Sequence, residues 1–222
     1  MLLDIPLGVM RPELDQMPSA CKNWFTVGRW ADVSNPDYGV TWVTLDAPLV
    51  QVGGLTANLL ESQTNPDVWR KKVDRTQKLY SWAMNNHWGT NYRAYQDGPT
   101  IFRFILRPHR RLDPAEATRF ATGFSQPLLA RRAIGNESPA TTLLRVEPPG
   151  IITLALKPSA DGKALIVRLF GASGKAESAK LVWATTPKQV WLSDTSEQPI
   201  ERATDKMEIP AWGVLTLRAE LP

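Results

Sequence analysis

Short runs of β-branched and aromatic residues recur along the chain and predict β-strands separated by turns. Residues 38–45 (YGVTWVTL) form one such run, and they follow the turn-forming sequence Ser-Asn-Pro-Asp. Residues 100–106 alternate in polarity, which places Phe102, Phe104 and Leu106 on one face of a predicted strand. We therefore expect aromatic strands to form the framework of the first half of the chain.

Strand signals are more closely spaced in the second half. Residues 151–156 and 164–170 predict a hairpin, and its connection contains Gly162, which adopts a positive φ at little cost. Further strands are predicted at residues 180–184, 189–192 and 213–218. Short strands separated by turn-rich spacers are typical of a β-sandwich.

One helix is expected to begin after Asp113, which suits the N-cap, with Pro114 at the first helical position and Glu116 at the third. It is expected to stop at Pro127. Its apolar residues recur at helical spacing and predict a core contact: Ala117, Phe120, Ala121 and Phe124.

A Pro-Pro-Gly sequence at residues 148–150 predicts a domain boundary, because it can continue neither a helix nor a central strand. We place the boundary near residue 146. The two predicted domains are residues 1–145, with the aromatic strands and the helix, and residues 146–222, with the short strands.

Composition narrows the possible chemistry. The 222 residues are 43% hydrophobic and 22% charged, which excludes a disordered chain, a coiled coil and a collagen-like fibre. One cysteine, Cys21, excludes an intramolecular disulfide framework, and only two histidines, His87 and His109, are present to bind a metal. Nine tryptophans are the unusual feature of the sequence.

Charge and hydropathy suggest no nucleic-acid or membrane partner. The net charge is only +4, and positive residues form short groups, such as residues 70–72 and 131–132, that are smaller than a nucleic-acid-binding arm. No apolar run is long enough to span a membrane, and the first ten residues, with Asp4 and Pro6, do not resemble a signal peptide. Localisation stays open; a periplasmic or extracellular location would require a signal in the parent protein.

Four aspartates lie beside the predicted strands: Asp32, Asp37, Asp46 and Asp97. Carboxylates that are distant in sequence can converge in space for glycosidic cleavage. We favour the simpler interpretation, in which each carboxylate satisfies local backbone groups in a turn. His109 is flanked by arginines, which disfavour a bound cation.

The densest cluster of polar and aromatic residues is residues 80–96 (YSWAMNNHWGTNYRAYQ). An indole can pack on the apolar face of a sugar ring, while amide, imidazole and guanidinium groups bind hydroxyls. Four residues carry this interpretation: His87, Trp88, Asn91 and Arg93. The alternative, that the cluster consists of core aromatics and loop-satisfying polar groups, stays open.

This cluster belongs to an ordered series of motifs. DYGVT (37–41) and LDAPL (45–49) precede MNNHWGTNY (84–92), QDG (96–98) and FRFILRPH (102–109), and segments 120–128 and 143–170 follow. The series resembles the C-terminal β-sandwich region of glycoside hydrolase family 38, the α-mannosidases and their bacterial relatives. The resemblance covers most of the chain in the same order.

The resemblance implies a mainly β fold: a mutarotase-like β-(super)sandwich with one short helix, followed by a smaller C-terminal β-sandwich. Enzymes of the family hold zinc and their catalytic aspartates in a barrel and helical bundle, to which no motif of this chain corresponds. The resemblance therefore implies no catalytic residue, metal ligand or cofactor in this chain, with zinc in the catalytic domain.

The implied role is to brace that catalytic domain, which would be the main partner. Mannose-containing glycans are candidate partners, contacted by His87, Trp88, Asn91 and Arg93 at the rim of a sugar cleft. Two alternatives stay open: a free-standing carbohydrate-binding or mutarotase-like module, and a structural interaction domain without a ligand.

Overall fold

The computed structural model describes residues 1–55, 69–84, 95–126, 128–130, 132, 135, 142–204 and 206–222. Within these residues the chain consists mainly of short β-strands arranged in several sheets, with one α-helix, α1, at Pro114–Ser125. The prediction of a mainly β, sandwich-type fold with one short helix is confirmed.

The chain divides into two compact units. Unit 1 contains Met1–Leu112 and Phe120–Ser125, and unit 2 contains Asp113–Arg119 and Gln126–Pro222. Different parts of α1 are assigned to the two units, so a single cut in the chain does not separate them. The domain boundary near residue 146 stays a prediction.

Unit 1 has two antiparallel sheets. The larger sheet consists of β1 (Leu2–Ile5), β2 (Gly8–Met10), β4 (Trp30–Ser34), β5 (Gly39–Thr44) and β8 (Phe104–His109), in the spatial order β2-β1-β4-β5-β8. The smaller sheet consists of β3 (Phe25–Thr26), β6 (Leu49–Val52) and β7 (Leu79–Ser81), in the order β3-β6-β7. Leu3 and Ala31 of the larger sheet share a buried core cluster with Phe25, Val50 and Val52 of the smaller one. The two sheets therefore pack face to face.

The strand predicted at residues 100–106 begins later in the structure, at Phe104. The Arg103 N–H donates to Asp46 Oδ2 at 2.8 Å, and its guanidinium Nη2 donates to Asp46 Oδ1 at 2.8 Å. The interpretation of Asp46 as a locally bonded turn residue is therefore wrong. The predicted alternation persists, because Phe104 and Leu106 are both exposed on one face.

Helix α1 begins as predicted. Asp113 Oδ1 accepts hydrogen bonds from the N–H groups of Ala115 at 2.9 Å and Glu116 at 3.3 Å, so Asp113 is the N-cap. The helix ends at Ser125, and Pro127 lies outside the described residues. In the described ranges, no helix has the length and apolar character needed to cross a membrane.

Unit 2 is also built from two sheets. The larger contains β10 (Ile151–Pro158), β11 (Leu165–Gly171), β13 (Gln189–Ser193), β14 (Pro199–Arg202) and β16 (Val214–Glu220), in the order β10-β11-β16-β13-β14. The smaller contains β9 (Leu144–Glu147), β12 (Glu177–Trp183) and β15 (Met207–Ile209), in the order β15-β12-β9. Val167, Leu169 and Leu217 share a core cluster with Ala179 and Ile209. The predicted hairpin is β10–β11.

Candidate functional site

The four residues predicted to contact sugar lie outside the described residues, and their role stays a prediction: His87, Trp88, Asn91 and Arg93. The start of their cluster is described. β7 pairs with β6, with Tyr80 opposite Gln51, and the Trp82 ring meets Trp24 edge-on at a centroid distance of 5.6 Å. The aromatic residues that lead into the cluster thus pack within unit 1.

A buried polar network links three strands of the larger sheet in unit 1. Asp32 on β4 lies opposite Thr41 on β5, and the Thr41 hydroxyl donates to Asp32 Oδ2 at 2.9 Å. The His109 Nε2 on β8 lies 2.6 Å from the same carboxylate oxygen. The ring passes Gly39, where a Cβ would lie 2.7 Å from His109 Cε1. Glycine is therefore required for this contact.

Both ring nitrogens of His109 face oxygen atoms in this network. Nδ1 lies 2.9 Å from the Arg110 carbonyl oxygen, and Nε2 lies 2.6 Å from Asp32 Oδ2. The Asp32 side chain is 0% exposed and that of His109 is 9% exposed.

The pair is therefore positioned to link strands and not to face a substrate. The interpretation of Asp32 as a locally bonded turn residue is wrong, because its partner is 77 positions away in the sequence. Asp32 Oδ1 is buried without a hydrogen-bond partner.

A cleft of about 700 Å³ in unit 1, the β5 cleft, lies beside the start of β5. Trp42 and Leu79 contribute apolar surface to it, and Tyr38, Arg75 and Gln77 contribute polar groups. Among the described residues, no hydrogen-bond partner is found for the Tyr38 hydroxyl or for the side chains of Arg75 and Gln77. An apolar wall with uncommitted polar groups is typical of a small polar ligand site.

One face of the β5–β8 pair carries exposed apolar side chains. Because Trp42 lies opposite Leu106 and Val40 opposite Pro108, these residues share a face. Trp42 also stacks on Phe104 at a centroid distance of 5.3 Å. Val40 is 38% exposed, Phe104 40% and Leu106 64%. We call these four side chains, Val40, Trp42, Phe104 and Leu106, the apolar face.

The described residues offer no set of side chains that could bind the zinc ion that the family resemblance implies for the catalytic domain. Within the described ranges, no group of three or more His, Cys, Asp or Glu side chains is placed to hold a metal ion. His109 and Asp32 are directed at each other, and the Asp46 carboxylate is directed at Arg103. These residues do not fit a zinc site.

Each unit thus pairs two antiparallel sheets around a shared core, which defines a β-sandwich protein. Residues 150–218 match the family model described as "Glycosyl hydrolases family 38 C-terminal beta sandwich domain". They include β10 to β15 and most of β16. This part of the chain is a family 38 C-terminal β-sandwich domain, and the resemblance seen in the sequence is confirmed. The match lies within the predicted second domain.

Two solved structures have the same fold. An α-mannosidase from Enterococcus faecalis V583 has a TM-score of 0.62 at 14% identity, covering 99% of this chain and 24% of that chain. A glycosyl hydrolase family 38 protein from Enterococcus faecalis has a TM-score of 0.61 at 15% identity, with the same coverage. At this level of identity the likeness establishes the fold.

A curated protein of Halalkalibacterium halodurans, named "Putative mannosylglycerate hydrolase", is 27% identical over 131 residues, which are 55% of this chain and 14% of that protein. This chain therefore spans about a quarter or less of each relative. Residues 150–218 of this chain correspond to a C-terminal β-sandwich domain, and the chain as a whole corresponds to only a part of these longer proteins.

Proposed function

We propose that this β-sandwich region braces the catalytic domain of a family 38 glycoside hydrolase and that unit 1 contacts that domain through the apolar face. The apolar face is the observation that carries the proposal. Three large apolar side chains on two paired strands are left more than one-third exposed, which is unusual for a surface that remains in water.

The position of the apolar face supports docking. It lies at β8, which is the last strand in the β2-β1-β4-β5-β8 order, so a neighbouring domain can approach it from the side. The opposite face of the same strands is already covered, since Arg107 on β8 lies over the Phe120 ring of α1 at 5.2 Å. Burial of the exposed apolar atoms on a partner would contribute about 25 cal/mol per Å².

Binding between this chain and the catalytic domain of its parent protein, produced as a separate chain, tests the proposal. Leu106→Gln should weaken the complex at least about five-fold in calorimetric titration, the change expected for an interface-core residue. Ile200→Gln is the matched control, because Ile200 is 65% exposed in unit 2 and Leu106 is 64% exposed. Equal affinity of the two variants, or no complex with the unmodified chain, would contradict the bracing role.

A second test addresses catalysis. The chain alone should not hydrolyse an aryl α-mannoside, with or without added zinc. Hydrolysis above that of a heat-inactivated sample would contradict the non-catalytic role.

Carbohydrate binding is a second candidate function, and the β5 cleft favours it. Tyr38 and Trp42 offer aromatic faces for a sugar ring, and Arg75 and Gln77 offer donors for hydroxyls. A mutarotase-like activity finds no support in His109, because Asp32 and the Arg110 carbonyl occupy both of its ring nitrogens.

Titration with mannose and mannobiose, followed by tryptophan fluorescence, separates these possibilities. Saturable quenching lost in Tyr38→Ala would assign binding to the β5 cleft, and quenching lost in Trp88→Ala would assign it to the predicted cluster. The absence of any response would favour a bracing domain that has no sugar site.

A further inference from the structure

A second cleft, of about 660 Å³, opens in unit 2 and carries mainly positive charge. Its cations come from different parts of the fold: Lys180 from β12, Lys188 from the loop before β13, Arg202 from the end of β14 and Lys206 from the residue before β15. All four residues are exposed. We call this the basic cleft.

The floor of the basic cleft is the open end of the unit 2 sandwich. Leu181 and Trp183 on β12 and Val190 on β13 line it, and all three also pack against the core cluster of the unit. Trp183 is half-buried, so part of its indole is available at the cleft. The cations are thus arranged around a firm apolar surface.

No carboxylate balances these cations among the described residues that line the cleft. None of the four forms an ion pair with a described carboxylate, whereas Lys157 pairs with Glu197 and Arg218 with Asp161 elsewhere in unit 2. Asp205 follows Thr204 in the sequence and lies outside the described residues. Even if Asp205 contributed a full negative charge at the cleft, three of the four positive charges would remain unbalanced.

We propose that the basic cleft binds an anionic saccharide, a sugar that carries a carboxylate, sulfate or phosphate group. Several cations converging on one cavity reinforce each other's potential, and they would bind the anionic group. The half-buried indole of Trp183 offers an apolar face for the C–H groups of the sugar ring. The saccharide part of the assignment rests on the proposed function; the anionic part rests on the charges alone.

A panel of defined sugars tests the proposal: glucuronic acid, mannose 6-phosphate and N-acetylglucosamine 6-sulfate, with mannose as the neutral member. Binding to the full chain is measured by calorimetry and by the fluorescence of Trp183, with Trp183→Phe as the check on the signal. At least one acidic sugar should bind measurably more tightly than mannose, and its affinity should fall as salt rises.

Charge removal tests the location of binding. Lys188→Gln with Lys206→Gln should weaken acidic-sugar binding about four- to twenty-five-fold, since each exposed charge contributes about two- to five-fold. The control is Lys163→Gln with Lys175→Gln, which removes the same charge from unit 2 away from the cleft. The control pair should bind as the unmodified chain does.

Equal effects of the two double variants, or no acidic sugar binding at all, would overturn the assignment of the cleft. Tighter binding of a poly-aspartate peptide or a single-stranded oligonucleotide than of any acidic sugar would overturn the saccharide assignment. Neither result bears on docking through the apolar face, so failure here is distinguishable from failure of the bracing role.

Discussion

Asp4 on β1 should make unit 1 less stable as pH rises. Its side chain is buried, with a relative exposure of 8%, and Oδ2 accepts the Arg29 N–H at 2.7 Å. Burial raises its pKa from the ordinary value of 3.8 to about 6, although the Arg29 N–H and charge oppose the shift. Burial disfavours the charged carboxylate more strongly than the backbone hydrogen bonds from Arg29 and Trp30 and the Arg29 charge can offset.

The direction of this change in stability follows from proton binding. Between about pH 4 and 6, the unfolded chain has released the Asp4 proton while the folded chain retains it, so rising pH favours the unfolded state. A shift of about two pKa units corresponds to about 3 kcal/mol, lost progressively as pH rises through this range. In Asp4→Asn this titration is absent, while the amide oxygen can still accept from Arg29.

As pH rises from about 4 to 7, Asp4→Asn should therefore become more stable relative to the unmodified chain, by about 3 kcal/mol of unfolding free energy. Urea unfolding followed by tryptophan fluorescence measures it, because the fully buried Trp30 lies close to Arg29 in the same unit. Other carboxyl groups contribute equally to both chains and cancel in the difference.

Asp46→Asn is the control of opposite sign. The Arg103 side chain lowers the pKa of Asp46, so its stabilising contribution is present above the unfolded pKa and is lost as pH falls. If the free-energy difference for Asp4→Asn were constant between about pH 4 and 7, or moved in favour of aspartate, the argument from burial would be refuted.

Two further predictions concern the network at His109. His109→Phe leaves the buried Asp32 carboxylate with only the Thr41 hydroxyl, so unfolding free energy should fall by about 3–5 kcal/mol, measured in urea. Gly39→Ala places a Cβ 2.2 Å from Ser34 Cβ and 2.7 Å from His109 Cε1. The melting temperature of this variant, measured by circular dichroism, should therefore fall by more than about 4 °C. An unchanged melting temperature would contradict the close packing at Gly39.

Local signals in the sequence predict the elements whose bonding is local. The β10–β11 hairpin and the Asp113 N-cap depend on neighbours within a few residues, and both appear in the structure. The start of β8 depends on Asp46, which is 57 positions from Arg103. No pattern in a window of ten residues contains that information.

The candidate sites depend even more on contacts between residues that are distant in the sequence. Groups of consecutive positive residues led to the expectation of ordinary solvated surface, yet Lys180, Lys188, Arg202 and Lys206 meet at one cleft although they are spread over 27 positions. Antiparallel pairing of β12 with β15 and of β13 with β14 brings them together. Only the topology of the sandwich makes these cations neighbours.

The buried His109–Asp32 pair and the apolar face lie on opposite faces of the larger sheet of unit 1, and β8 contributes residues to both. His109 lies opposite Gly39 in the β5–β8 register, and only there does its ring reach Asp32 across the glycine. A slip of one residue would turn His109 outward and bury Leu106, because side chains alternate along a strand. Such a slip would leave the Asp32 side chain buried without its contact to His109, which is a large cost. The His109–Asp32 pair therefore favours the register that leaves Phe104 and Leu106 exposed on the proposed docking surface, although neither residue of the pair belongs to that surface.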